Sequence, residues 1–286
     1  MKTGIVWEGG AIRTIFSEGV NDALHAAGVT FDYAVGVSAG IAYGVSFLAG
    51  QPGRNMEILT RYVNDPRYMG KRNLLDPTNR CYFGLHFAYD TIPRRLVPFD
   101  YGAFQAWPGE AEAVVTDLRT GQALYLPVPR DDRDFRLLQA TCSLPLLFPV
   151  VRLGGVPCLD GGVADAVPFR RALDWGCDRI LVVLTRERNF RKSRERASRV
   201  AERAYRAYPA FQAALRDRED RYNRQREELM ELEQAGRALV LAPESTEGFH
   251  RLERDLDKIR AMGRSGYDIA SGRMAEIKAF LTGGTP

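Results

Sequence analysis

The chain has 286 residues, of which 45% are hydrophobic and 27% are charged, and its formal net charge is +4. This composition suits a globular protein with one large α/β domain or two small ones. It carries no secretory leader pattern and no apolar run of the roughly 20 residues that a membrane span needs, so we expect a soluble, cytoplasmic protein. Four scattered cysteines and three isolated histidines disfavour a disulfide framework and a metal site.

The first part of the chain alternates between strand-like and helix-like segments. A short apolar strand at 5–7 is followed by a helical pattern from Ile12 to Leu24, which Gly28 ends as a C-cap. A second strand at 33–37 leads directly into a helix of small residues at 39–48. A further helical segment contains Met56, Leu59 and Tyr62. Residues 65–110 are irregular and rich in proline, glycine and aromatics, so they predict either a lid or a surface excursion.

The second part of the chain completes an α/β pattern. Its predicted elements are strands at 112–118 and 123–128, a helix ended by Pro145, a hairpin with its turn at Gly154-Gly155, a helix at 168–175, a buried strand at 180–184, a charged helical region at 193–235, a strand at 238–242 and a helical tail. This order predicts an α/β fold with a mostly parallel central sheet and helices on both faces.

The pentapeptide Gly36-Val37-Ser38-Ala39-Gly40 lies where the second strand meets its helix. A G-x-S-x-G sequence in this context is the nucleophile-elbow pattern, in which a sharp turn exposes the serine hydroxyl near a helix N-terminus. Small residues such as Gly36 and Gly40 are needed because the turn brings neighbouring segments close together. The alternative interpretation is a tight glycine-flanked turn with an idle serine.

A glycine-rich turn, Gly9-Gly10-Ala11-Ile12-Arg13, follows the first strand. Successive backbone N–H groups at such a turn can bind an anion, which in a serine hydrolase is the oxyanion of the tetrahedral intermediate. Arg13 adds a positive charge nearby. The turn alone equally fits a phosphate-binding loop or a simple tight turn.

The third signal is Asp160-Gly161-Gly162, at the exit of the predicted hairpin. Serine needs a base, and only His250 follows this aspartate in the order of an α/β-hydrolase triad. His250 lies in a segment that looks like the start of a charged helix. A carboxylate that acts directly on serine is the better alternative, and the glycines at 161 and 162 permit its close approach.

Taken together, EGGAIR, GVSAG and LDGGV resemble the motifs of the patatin-like phospholipase family, in the order found there, over roughly residues 3–185. The resemblance implies a patatin-like layered fold with a catalytic core at 1–185, and a C-terminal helical extension at 186–286 with one probable strand, packed on the same domain. It implies a lipid acyl hydrolase in which Ser38 is the nucleophile and Asp160 the base, without a metal or cofactor. Oxyanion donors are then expected among Gly9, Gly10, Ala11 and Ile12.

Two positions depart from the family's G-G-G-x-[RK]-G pattern, because Ala11 replaces the third glycine and Thr14 the last. Alanine still offers an N–H, so the oxyanion hole survives if the φ angle there is negative. If that position needs a positive φ, the substitution costs free energy or alters the loop.

A basic stripe at residues 186–206 holds nine Arg or Lys residues against three acids. It predicts either a solvated helix face or peripheral contact with an anionic membrane surface. Few aromatics interleave with it, so nucleic-acid binding is not expected. Two other functions stay open: a small-ester hydrolase with a Ser38–Asp160–His250 triad, and a non-catalytic lipid-surface module.

Overall fold

The central sheet places strands from both ends of the chain side by side. The computed structural model describes residues 1–79, 81–193 and 196–284. In this part of the chain the sheet runs β5-β6-β3-β2-β1-β7-β8, with β4 on the free edge of β3. The pairs from β3 through β2, β1 and β7 to β8 are parallel, whereas β4, β5 and β6 pair in antiparallel fashion. The predicted mostly parallel sheet is confirmed.

The elements of the first half carry the predicted alternation. They are β1 (Thr3–Trp7), a 3₁₀ turn (Ala11–Thr14), α1 (Ile15–Ala26), β2 (Tyr33–Val37), α2 (Ala39–Leu48), α3 (Arg54–Tyr62), α4 (Arg72–Leu75), a π-helix (Phe87–Leu96), α5 (Tyr101–Ala106), β3 (Glu110–Asp117) and β4 (Ala123–Pro127). The predicted helix from Ile12 therefore begins as a 3₁₀ turn. Gly28 follows its end with φ +67°, the left-handed conformation expected of a C-cap residue.

The second half adds the hairpin and the C-terminal helices. Its elements are α6 (Arg136–Thr141), β5 (Val151–Leu153), β6 (Val156–Asp160), a 3₁₀ turn (Gly161–Val163), α7 (Phe169–Trp175), β7 (Arg179–Val183), α8 (Arg196–Ala204), α9 (Pro209–Arg216), α10 (Arg218–Gln234), β8 (Ala238–Leu241), α11 (Leu256–Gly272) and α12 (Met274–Thr282). None of the helices among the described residues combines the length and the apolar character needed to cross a membrane.

Alternate residues of the central strands enter two separate cores. Ile5 and Trp7 of β1 pack with α1, α2 and α11 on one face, whereas Val6 packs with β2, β7 and α10 residues on the other. Side chains point to opposite faces of a strand in turn, so strands buried on both faces read as continuous apolar runs. Helices therefore cover both faces of the sheet, as the sequence predicts.

Within the described residues, the predicted charged helical region at 193–235 contains three helices, which are α8, α9 and α10. Pro209 starts α9, and Asp217 lies between α9 and α10. Residues 186–192 form no helix and lead from β7 toward α8, so this first third of the basic stripe is not a helix face. Arg194 and Glu195 of the stripe lie outside the described residues.

The C-terminal residues pack directly on the rest of the chain. Strand β8 continues the sheet beside β7, with Leu181 paired to Leu239. Helix α11 lies against α1 so closely that a Cβ atom on Gly266 would stand 2.0 Å from the Phe16 carbonyl oxygen. This backbone contact needs glycine, because any side chain there forces the two helices apart. The boundary at 185/186 itself stays a prediction.

Candidate active site

One edge of β3 brings the serine and the aspartate together. Strand β2 runs along this edge until Val37 pairs with Val114. Beyond this point β6 pairs with the same edge of β3, with Asp160 opposite Val115. It must be the same edge, because β4 pairs with Val115 on the other edge. The parallel strand thus ends and the antiparallel strand begins at neighbouring β3 residues. Ser38 and Asp160, 122 positions apart in the sequence, meet at this junction.

Ser38 has the strained backbone expected of a nucleophile elbow. Its φ of +55° and ψ of −135° lie in a region that residues with a Cβ atom rarely adopt, at a cost of about 1–3 kcal/mol. The Ser38 N–H donates to Thr141 Oγ1 at 2.8 Å, and the Thr141 hydroxyl donates to the Val114 carbonyl at 2.5 Å. Thr141 therefore ties the elbow to β3.

The two glycines of the pentapeptide are required by close contacts. A Cβ atom on Gly36 would lie 2.8 Å from the backbone nitrogen of Ile41, and one on Gly40 would lie 2.8 Å from the carbonyl oxygens of Trp7 and Glu8. Both distances are shorter than real Cβ contacts allow. Glycine is therefore needed at position 36 where the chain turns back against the start of α2, and at position 40 where α2 lies against the end of β1.

The Asp160 carboxyl group is buried beside the elbow. Its Oδ1 accepts a 2.8 Å hydrogen bond from the Gly162 N–H, and its buried Oδ2 accepts none of normal geometry from a described residue. Burial raises the pKa of Asp160, whereas the Ser38 hydroxyl, the Gly162 N–H and two arginines lower it. A Cβ atom on Gly161 would lie 2.2 Å from the Val114 carbonyl, so glycine is needed where Asp160 leaves the sheet.

The glycine-rich turn presents unpaired N–H groups to the same cavity. Among the described residues, the N–H groups of Gly9, Gly10 and Ala11 donate to no acceptor, and all three residues line the cavity with Ser38. The Ile12 N–H, in contrast, donates to the Arg251 carbonyl at 3.2 Å. Because that donor is already engaged, the prediction of Ile12 as an oxyanion donor is not retained.

Ala11 adopts the positive φ that the family's glycine would tolerate more easily. Its φ is +50°, in the left-handed region that costs residues with a Cβ about 1–2 kcal/mol. Alanine at this position therefore strains the loop without removing the N–H group. The neighbouring departure, Thr14, is fully buried, and its hydroxyl forms no hydrogen bond with a described residue.

Glu8 fixes the start of the glycine-rich turn. Its buried carboxylate accepts hydrogen bonds from the Tyr222 hydroxyl at 2.7 Å and the Thr185 N–H at 2.6 Å. The Thr185 hydroxyl in turn donates to the Gly9 carbonyl at 3.1 Å. Thr185, just after β7, and Tyr222 of α10 therefore hold the turn in place, and no sequence motif indicates this role.

Two cavities of different character meet at the serine. Ser38, Ala11 and Leu144 line both of them. The first cavity, of about 140 Å³, is largely apolar and includes Tyr89 and Phe148. Residues of the irregular segment at 65–110 form one wall of it, so this part of the segment covers the apolar cavity instead of projecting away from the core.

The second cavity is polar and holds most of the candidate residues. Its volume is about 230 Å³, and Asp160 and Arg13 line it. Basic residues from the loop at 186–193, from the start of α10 and from the loop between β8 and α11 also line it. The sequence did not assign these later residues to the site, because three of them belong to the basic stripe at 186–206 and the other two lie in no motif. They reach the site only through the packing of the C-terminal elements.

The histidines do not take part in this arrangement. His250 is exposed, and neither it nor His25 or His86 lines either cavity. The described residues contain no group of three or more His, Cys, Asp or Glu side chains placed to hold a metal ion. The cavity around Ser38 brings together a serine hydroxyl, a buried carboxyl group and unpaired backbone N–H groups.

These features define a layered α/β protein with a serine at a strained strand-to-helix turn, beside a buried aspartate and a glycine-rich turn. The chain belongs to the patatin-like phospholipase family: the family model described as "Patatin-like phospholipase" matches residues 5–173. The resemblance drawn from the sequence motifs is confirmed, and family membership supports lipid hydrolase activity. A second family model, "Domain of unknown function (DUF6363)", matches residues 208–282.

Individual relatives are distant. The "Uncharacterized protein YjjU" of Escherichia coli (strain K12) is 26% identical over an alignment of 202 residues, and the alignment covers 64% of this chain and 52% of that protein. The chain thus spans about half the length of this relative. The crystal structure of VipD from Legionella pneumophila matches with a TM-score of 0.52 at 12% identity, covering 96% of this chain and 67% of that chain. This likeness supports the fold alone.

Proposed function

We propose that the protein is a lipid acyl hydrolase of the phospholipase A or esterase type, with Ser38 as nucleophile and Asp160 as general base. The observation that carries this proposal is the junction on β3, which sets the strained serine beside a buried carboxyl group. Unpaired N–H groups of Gly10 and Ala11 line the same cavity and suit an oxyanion. The adjoining apolar cavity suits an acyl chain.

The proposed reaction is a two-step acyl transfer. Asp160 accepts the Ser38 proton while the serine oxygen forms a bond to the ester carbonyl carbon, and the N–H groups stabilise the resulting oxyanion. The tetrahedral intermediate expels the alcohol, which takes the proton from Asp160, and leaves an acyl-serine. Water then gives its proton to Asp160 and attacks the acyl-serine, which releases the fatty acid and restores the serine hydroxyl.

The raised pKa of Asp160 favours this role. A carboxylate with its ordinary pKa is a weak base at neutral pH, and a raised value brings it nearer the operating pH. The Ser38–Asp160–His250 triad is a weaker candidate, because His250 is exposed and lines neither cavity. A non-catalytic lipid-surface module remains the second candidate, favoured by the strain at Ala11 in the glycine-rich turn.

Fatty-acid release from mixed phospholipid vesicles, without added metal, tests the proposal. We expect release by the wild type, loss in Ser38→Ala and in Asp160→Asn, and retention in His250→Gln. Ser265→Ala, in α11 and away from both cavities, is the matched serine control. Loss in His250→Gln alongside Ser38→Ala supports the triad instead. A folded wild type that releases nothing from vesicles or short soluble esters supports the non-catalytic module.

Peripheral contact with a lipid surface forms part of the proposal. Leu146 and Leu147 are exposed by 45% and 37%, and they follow Leu144, which lines both cavities. This loop is a better candidate for the contact than the basic stripe, where Arg188 and Arg191 pair with Glu233 and Glu227. Co-sedimentation with neutral and anionic vesicles, compared between wild type and Leu146→Asp, tests this contact.

A further inference from the structure

One helix from the C-terminal part of the chain contacts two turns of the candidate site. Helix α10 lies beyond residues 5–173, which the patatin-like family model matches, and inside 208–282, which the model without an assigned function matches. Arg218 and Tyr222 are four positions apart on this helix, so they lie on the same face, about 6 Å apart along the helix axis. Each of the two side chains forms a hydrogen bond to a different turn of the site.

Arg218 contacts the 3₁₀ turn that follows Asp160. Its Nε donates to the Gly162 carbonyl at 2.9 Å, and the N–H group of the same glycine donates to Asp160 Oδ1 at 2.8 Å. Arg221, three residues further along α10, donates to the next two carbonyls of the chain at 2.9 Å and 3.3 Å. Two arginines of α10 therefore bind the carbonyls of three successive residues, and they fix the N–H group that orients the Asp160 carboxyl group.

Tyr222 joins the same helix to the glycine-rich turn. Its hydroxyl donates to the Glu8 carboxylate at 2.7 Å, and both side chains are buried. Arg226, one helical turn later, donates to the Tyr222 hydroxyl at 3.0 Å. A hydroxyl that accepts from a cation and donates to a carboxylate has one fixed orientation. Helix α10 therefore sets the position of the glycine-rich turn as well as that of the turn after Asp160.

The Arg218 guanidinium also lies close to the Asp160 carboxyl group. A Cβ atom on Gly162 would stand 3.0 Å from Asp160 Oδ1 and 3.9 Å from Arg218 Nη2, so both groups border the same point beside this glycine. Burial raises the pKa of Asp160, and the positive charges of Arg218 and Arg251 act in the opposite direction. A protonated carboxyl group cannot accept the serine proton, so the charge of Arg218 favours the reactive form of Asp160.

Other charged or titratable side chains surround the same carboxyl group. Arg251, from the loop between β8 and α11, lowers the pKa of Asp160 as Arg218 does, and the Cys142 thiol interacts electrostatically with Asp160. The remaining such side chains that line the cavity are Glu8, Arg13, Arg186, Arg191, Lys192 and Tyr222. Arg218 combines a charge that acts on Asp160 with a hydrogen bond to the residue whose N–H binds Asp160.

We propose that Arg218 is a positioning residue for Asp160, and that α10 belongs to the catalytic unit because it fixes the turn after Asp160 relative to the glycine-rich turn. This inference rests on the proposed function for the reaction, and it gives the region at 208–282 a part in that reaction. Arg218 keeps the Gly162 N–H on Asp160 Oδ1, which leaves the buried Oδ2 to accept the Ser38 proton.

The pH dependence of kcat/KM separates this role from a merely structural one. Arg218→Met removes both the charge and the Nε donor, so we expect kcat/KM to fall by about 10–100-fold and its acid limb to move to higher pH. Arg218→Lys keeps the charge but loses the planar donor, so its acid limb should stay near that of wild type while kcat/KM remains low. A loss of kcat/KM in Arg218→Met with an unmoved acid limb contradicts the effect of Arg218 on Asp160.

Arg221→Met is the matched control on the same helix. Arg221 binds carbonyls of the same part of the chain, but it lies outside the described lining of the cavity. Its acid limb should coincide with that of wild type, whatever the variant does to the free energy of urea unfolding. An equal displacement of the acid limb in Arg221→Met and Arg218→Met indicates a general charge effect and overturns the proposal.

Tyr222→Phe tests the contact with the other turn. The variant loses the hydroxyl that binds Glu8, so kcat should fall by about 10-fold or more because the glycine-rich turn is no longer fixed. The acid limb should stay in place, since no charge beside Asp160 changes. Tyr267→Phe, at an exposed position of α11, is the matched control and should keep the wild-type kcat. A wild-type kcat in Tyr222→Phe contradicts the role of α10 at the glycine-rich turn.

A direct measurement of the Asp160 pKa needs no turnover. The carbon NMR resonance of the Asp160 carboxyl group, assigned by its absence in Asp160→Asn, is titrated in Ser38→Ala and in the same variant with Arg218→Met added. We expect a higher pKa when Arg218 is replaced, and equal values overturn its effect on Asp160. If the wild type hydrolyses no ester, the proposed function fails, whereas this titration still decides whether Arg218 acts on Asp160.

Discussion

Replacement of Ser38 by glycine should make the protein more stable while it removes the proposed nucleophile. The φ of +55° and ψ of −135° strain any residue with a Cβ atom by about 1–3 kcal/mol, and glycine adopts this conformation without that strain. Glycine also increases the conformational entropy of the unfolded chain, at a cost of about 0.5–1 kcal/mol. The net gain in the free energy of unfolding is therefore roughly 0.5–2 kcal/mol.

The informative comparison is with Ser38→Ala. Both variants lack the hydroxyl, so they lose its contact with Asp160 equally, but alanine keeps the Cβ atom and therefore the strain. For a chain of this size the expected difference in Tm between Ser38→Gly and Ser38→Ala is about 1–5 °C. Thermal and urea unfolding monitored by circular dichroism measure it, and both variants should be inactive in the fatty-acid release assay.

A serine in an ordinary helix provides the control of opposite sign. Ser265 lies within α11, where Ser265→Gly should be less stable than Ser265→Ala by about 1 kcal/mol. If Ser38→Gly is also less stable than Ser38→Ala, the backbone at Ser38 is not strained in solution and the nucleophile-elbow geometry argued above is refuted.

Four further predictions concern one residue each, two through stability and two through a pH dependence. Ala11→Gly relieves a φ of +50° and should raise the free energy of unfolding by about 0.5–1 kcal/mol; a loss of stability contradicts the left-handed geometry. Thr141→Val removes the hydroxyl that bonds the Ser38 N–H and the Val114 carbonyl, and it should lower the free energy of unfolding by about 2–5 kcal/mol. Urea unfolding measures this loss, and Thr141→Ser should restore most of the lost stability. Burial is the main reason that the pKa of Glu18 rises from 4.5 to about 8 in the folded protein, so the unfolded state loses this proton at lower pH than the folded state does. The free energy of unfolding of wild type, relative to that of Glu18→Gln, should therefore fall as the pH rises from 4.5 to 8. A difference that stays constant over this range contradicts the raised pKa. Because burial raises the pKa of Asp160, kcat/KM should increase with pH across the mildly acidic range, and a flat profile there speaks against a carboxylate base.

The sequence motifs located the residues whose identity is constrained by local geometry. Ser38 is flanked by Gly36 and Gly40 because the elbow contacts neighbouring backbone, and Gly161 follows Asp160 because its α-carbon lies against the Val114 carbonyl. Such constraints act within a few residues and therefore leave a readable pattern. The hydrogen bond of the Ile12 N–H leaves no such pattern, because its acceptor is the carbonyl of Arg251, 239 positions away.

The C-terminal part shows the same division. Periodicity predicted helices in 193–235 but not their ends, because Pro209 and Asp217 interrupt a charged pattern that is otherwise continuous. Lys192 and Arg251 had no motif around them, and the basic stripe suggested a surface helix or a membrane contact. The structure instead directs Lys192 into the cavity beside Ser38, a placement that depends on how α10 packs against the sheet.

By itself, the sequence determined the layered α/β fold, its family and the pairing of a serine with an aspartate as candidates for catalysis. Apolar periodicity indicates the fold, and the resemblance of three short motifs to those of a known family indicates the family and the two candidate residues. All of these are local properties of the chain. Only the tertiary structure decided that β2 and β6 share one edge of β3, which N–H groups stay free, and which distant cations enter the cavity. Those features depend on contacts between residues far apart in the chain, and no local pattern records them.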